Sequence, residues 1–241
     1  KLLVPVLSKL SNLVPDAGIW LNTQRPEWND ANNALAGGGV SVVTLCYLRR
    51  YLAFLVDLLD RSDVAALPVS QEVVDWLGGI ASALATRDAE LTAPVLTPRA
   101  RKRWLDALGE PFSAYRAAVY ARGFSGKTDL AVSRAAGLCR SALAYVDRGI
   151  AANRRDDGLY HAYNRLDISG DQAAAEVIRL PEMLEGQVAV LSSGVLTTEQ
   201  AQDVVERLFA SALYRPDQRS FLLYPKRELP GFLEKNRIPQ A

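Results

Sequence analysis

The chain has 241 residues, with 28 Lys+Arg against 27 Asp+Glu, 49% apolar and 23% charged, an ordinary globular balance with enough length to bury a core. That balance excludes a disordered tail, and a net charge of +1 supplies no global field to gather a polyanion, so neither nucleic acid nor a membrane surface is expected as a partner. One His and two Cys exclude a structural zinc or a disulfide framework, and Cys46 and Cys139, both in apolar surroundings, read as buried reduced thiols.

The opening Lys1-Leu2-Leu3-Val4-Pro5 is too short and interrupted for a signal peptide; no targeting segment is legible, and the cytoplasm is favoured. A start on Lys and a finish rich in proline (Pro225, Pro230, Pro239) suggest a piece of a longer polypeptide, with further domains as partners. Trp20 to Gly39 reads as a linker. Val40 to Arg61 is apolar around most of its circumference, with Tyr47, Tyr51 and Phe54 off the leucine-rich face, so an inner helix covered on several sides is expected. Arg49, Arg50 and Asp57 make it too costly to place in a bilayer.

Ser70 and Glu72 start a helix through Val73, Leu77, Ile80 and Leu84. Thr97-Pro98 opens another, with Trp104, Leu108, Phe112, Tyr115 and Val119 on one stripe; Gly109-Glu110-Pro111 predicts a kink or split in it, and Arg99, Arg101, Lys102 and Arg103 a solvated basic face. Gly123-Phe124-Ser125-Gly126-Lys127-Thr128 looks like the end of a phosphate-binding loop. Its first glycine would fall at Ala121 and a helix precedes it where a strand is required, so Gly123 reads as a helix C-cap and Thr128 as the start of the next helix. Helices follow over about 129–152 and 181–191, and Thr197 with Gln200 forms a capping box for one ending near Leu213.

Helical spacing dominates and strand-type alternation is nearly absent, so the class expected is all-α. One helix greasy all round among others with a single stripe suits two concentric layers, of which an α/α toroid is one solution. The expected organisation is a helical domain over residues 1–215 and an extended Pro-rich segment over 216–241 packing on it.

The chemically dense segment is Asn22 to Asn33, ahead of Gly37-Gly38-Gly39 and the inner helix. It holds Arg25, Glu27, Trp28, Asn29, Asp30, Asn32 and Asn33, side chains suited to clasping sugar hydroxyls and to stacking an indole on the C–H face of the ring; the alternative is an Asx-rich turn capping the helix. Glu27-Trp28-Asn29-Asp30-Ala31-Asn32-Asn33 resembles the Asp-Trp-Asn-Asp-Gly-Met-Asn segment of the cellobiose phosphorylase family, inverting enzymes on a six-hairpin α/α toroid. The resemblance implies that Glu27 is the general acid protonating the glycosidic oxygen, with Glu in place of Asp and Ala31 in place of Gly. Asp30 beside it would help to keep its carboxyl protonated.

Inverting hydrolysis needs a second carboxylate roughly 6.5–9.5 Å away. Glu185, with Glu182 three residues earlier, is the best candidate, beside Gly186, where a ligand would come close; the alternative is Asp156-Asp157 ahead of Tyr160, His161 and Tyr163. Arg25, Trp28, Asn29, Asn32, Asn33, Tyr160, His161, Tyr163, Glu182 and Gln187 are the candidate sugar contacts. His161 has no nucleophile motif to serve. The expected function is cleavage of a glycosidic bond in an oligosaccharide or disaccharide, without metal or organic cofactor and with inorganic phosphate or water as acceptor. The alternative is a non-catalytic helical module that binds glycan or packs on neighbouring domains.

Overall fold

A computed structural model describes residues 1–22, 35, 37–86, 93, 95–168, 170, 173–226 and 230–236. It corrects the all-α expectation, and the toroid with it: 54% of the described residues are helical, 16% are strand, and five strands form a curled antiparallel sheet. In chain order the sheet's strands are β1 (Leu13–Val14), β2 (Gly18–Trp20), β3 (Gly39–Ser41), β6 (Tyr163–Asp167) and β7 (Glu176–Arg179), which is also their spatial order. Two-stranded ribbons join β4 (Ala66–Ser70) to β5 (Lys127–Ala131) and β8 (Tyr214–Arg215) to β9 (Ser220–Phe221). Alternation has no run in which to show: β1 and β3 are two and three residues long and buried throughout, while β7 is exposed at three of its four residues.

The helices are α1 (Leu3–Leu10), α2 (Val42–Asp60), α3 (Gln71–Ala85), α4 (Pro98–Arg122), α5 (Val132–Ala151), α6 (Leu184–Ser192), α7 (Thr198–Ala210) and α8 (Phe232–Lys235). Local signals fix several ends as expected: Thr97 accepts a bond from the Ala100 amide ahead of Pro98, Gly123 ends α4 at φ 72°, and the Thr197/Gln200 capping box is formed. Other boundaries move because strand pairing takes the residues. Val40 belongs to β3, so α2 begins after Ser41, whose Oγ accepts from the Thr44 amide at 2.9 Å; Thr128 lies opposite Val69 in the β4–β5 ribbon. Pro111 does not split α4. Its ring lies against Gly79 of α3, where a built Cβ would sit 2.6 Å from Pro111 Cγ.

The main core joins Leu45, Leu52 and Leu55 of α2, Leu138 and Val146 of α5, and Leu77 and Ile80 of α3. Trp76 stacks on Phe112 and Tyr115 at 4.8 and 4.6 Å and donates to Ser11 Oγ at 2.9 Å. Cys46 and Cys139 are buried and free, and burial pushes their thiols up to about 12 and about 11.

The sheet is tied to the helices by a polar clamp on the turn between β1 and β2, where Asp16 is left-handed at φ 61°. Arg148 of α5 donates to both Asp16 carboxylate oxygens at 2.8 and 2.9 Å. The carbonyls of Pro15, Asp16 and Ala17 accept from Arg101 (3.1 Å), Arg179 (2.7 Å) and Asn164 (2.7 Å) respectively. Arg101 is therefore no member of a solvated basic face: it is 8% exposed and also donates to Ala175 and Leu96 carbonyls. Arg148→Leu leaves the Asp16 carboxylate without its cation, and a loss of about 2–3 kcal/mol is expected in urea unfolding.

Candidate functional site

An open cleft of about 440 Å³ lies where the N-terminal ends of α2 and α6 meet strand β6. Its polar groups are Ser41, Thr44, Tyr47, Tyr163 and Glu185; its apolar walls are Leu21, Val43, Leu184, Val188 and Leu223. Tyr163 Oη donates to Glu185 Oε2 at 2.8 Å, so one carboxylate oxygen is oriented by a phenol that is itself buried.

Two residues after Glu185 explain why α6 lies close enough for that bond. A Cβ on Gly186 would meet backbone atoms of Ala162 at 3.0 Å, so the glycine permits the helix to touch the chain where it enters β6. Gln187, fully buried, accepts from the Tyr160 amide at 2.9 Å and donates to the Tyr160 and Met183 carbonyls at 2.8 and 2.9 Å. Gly186→Ala pushes α6 from the strand; we expect a loss of about 1–3 kcal/mol in thermal unfolding, with the Tyr163–Glu185 hydrogen bond lengthened in a crystal structure.

The sequence-derived candidates thus separate. Glu185 and Tyr163 are brought together on the cleft. Tyr160 packs in the main core, Gln187 serves backbone groups, and Glu182 pairs with Arg155 at 3.0 Å, as Asp157 does at 2.8 Å. His161 Nδ1 lies 2.6 Å from the Leu180 carbonyl, to which it donates. Arg25, Glu27, Trp28, Asn29, Asp30, Asn32 and Asn33 lie outside the described residues; their segment joins β2 to β3 and follows Leu21 of the cleft wall. Ser41, Thr44 and Tyr47 were missed. Ser41 was visible as a possible N-cap after three glycines, but placing the helix start at Val40 hid it.

The Gly123–Thr128 loop is held by an acid, as a phosphate site would not be: Glu72 Oε1 accepts from Ser125 N and Oγ at 2.8 and 2.6 Å, bonds that lower the Glu72 carboxyl below its usual range. Among the described residues no group of His, Cys, Asp and Glu is placed to hold a metal, and no helix is long and apolar enough to cross a membrane.

Burial lowers the His161 imidazole below its ordinary 6.5, with Arg179 and Arg155 adding to the shift and the Leu180 carbonyl and Asp157 opposing it. The folded state therefore binds this proton less readily than the unfolded chain, so stability is lost as pH falls below about 6.5. His161→Asn, which keeps a donor for Leu180, is expected to gain stability relative to the wild type on acidification, measured by urea unfolding across a pH series.

No family model and no curated protein matches the chain. The antiparallel sheet rules out the all-α toroid architecture, and function has to be argued from the cleft.

Proposed function

We propose that the cleft binds a carbohydrate and that the chain cleaves a glycosidic bond, with Glu185 as the carboxylate that activates the attacking group. The observation that carries this reading is the Tyr163–Glu185 pair on an open cleft. Tyr163 fixes one carboxylate oxygen and leaves the other to take a proton from water; with phosphate as acceptor, the same oxygen would accept from a phosphate hydroxyl. Ser41, Thr44 and Tyr47 add hydroxyls, and the Tyr47 ring with Val188 and Leu223 adds apolar surface for the faces of a sugar ring. Glu27 is the sequence's candidate for the proton donor, by its resemblance to the phosphorylase segment.

A second reading, binding without cleavage, is favoured by one observation: among the described lining residues Glu185 is the single carboxylate, and inversion needs two. The two readings separate in an assay of a disaccharide panel with and without inorganic phosphate, beside calorimetric binding. Glu185→Gln is expected to lower turnover by about 10²-fold or more with sugar binding retained. Product formed only with phosphate identifies phosphorolysis. Binding without turnover in the wild type supports the second reading, whereas turnover unchanged in Glu185→Gln refutes the role given to that residue.

A further inference from the structure

The greasy circumference of α2 calls for cover on several sides, and on one side the described residues leave much of it open. Tyr47, Phe54 and Leu58 are 50%, 53% and 42% exposed. Tyr51 lies between them, its ring stacked on Phe54 at 6.2 Å. Positions 47, 51, 54 and 58 are spaced four, three and four apart, which is the seam of a helix that packs along another helix. Arg50 and Asp57, both exposed, stand seven residues apart on one flank of that seam. Arg50 has no ion-pair partner among the described residues, while Asp57 pairs with Arg61 one turn on.

We propose that this seam is an interface between two copies of the chain, with the two α2 helices packed antiparallel about a two-fold axis between Tyr51 and Phe54. Each Tyr51 then faces the partner's Phe54, and each Tyr47, at the end of the seam where it also borders the cleft, lies level with the partner's Leu58. At 1.5 Å rise per residue, Arg50 and the partner's Asp57 fall within about 3 Å of each other along the axis and on the same flank, and symmetry makes the pair twice. In a parallel pairing the two-fold axis runs along the helices and sets the charged flanks of the two copies on opposite sides of the seam, so no Arg50–Asp57 pair forms. The charge pattern is thus complementary to itself in one orientation, which is what selects a second copy over an unrelated helix.

The test is sedimentation equilibrium over a range of concentrations, with far-ultraviolet circular dichroism as the check on folding. The wild type is expected to dimerise reversibly and Phe54→Arg to be a folded monomer. Arg50→Asp should weaken association by about tenfold or more, and Arg50→Asp combined with Asp57→Arg should restore it. A wild type monomeric at every concentration overturns the proposal, as does a dimer indifferent to Phe54→Arg. Should Phe54→Arg fail to fold, the charge swap decides: failure of the double variant to recover association overturns the antiparallel pairing.

Discussion

Three consecutive carbonyls, those of Pro15, Asp16 and Ala17, are buried in the turn between β1 and β2, and a buried carbonyl without a donor is costly. The donors come from α4, β7 and β6, and α5 neutralises the carboxylate of the same turn. Segments about 85 to 160 residues apart in sequence are thereby locked to one point. The placement of β2 follows, and with it that of β3, because a Cβ on Gly18 would come within 2.7 Å of the Ser41 carbonyl oxygen. Since Ser41 both ends β3 and caps α2, the clamp fixes the back wall of the cleft from a distance.

The opposite wall is set by closeness of backbone more than by polar attraction. Gly186 lets α6 rest on Ala162, and Gln187 supplies the hydrogen bonds that the backbone of Tyr160, ahead of β6, would otherwise lack. Glu185 sits immediately before these two residues, so a carboxylate with some freedom toward the cleft is mounted on a rigid base. Rigid support beneath a partly open functional group is what pre-organised binding requires. The proposed chemistry rests on that arrangement and on no similarity of fold.

Legibility in the sequence followed the range of the interaction that mattered. The Thr197–Gln200 box, the Thr97–Pro98 start and the Gly123 stop are decided within a few residues, and the fold uses them as read. Glu185 and Tyr163 were both legible as candidates, yet nothing local distinguished them from Gln187 or Tyr160, which face inward; only the rotation of α6 and the path of the chain into β6 sort those four side chains. Arg101 shows the same limit. Within a basic run it looked solvated, and it is the carbonyls of Pro15, Leu96 and Ala175, brought in by folding, that bury it.

Helix periodicity, caps and the unusually greasy stretch around Leu45 to Leu59 were written in the amino-acid order itself, since each depends on neighbours within one or two turns. Strand pairing, the clamp at Asp16 and the meeting of Tyr163 with Glu185 were settled only in three dimensions. Strands as short as these, buried throughout like β3 or largely exposed like β7, carry no alternating pattern, and a hydrogen bond between distant segments leaves no trace in either one until the core has brought them together.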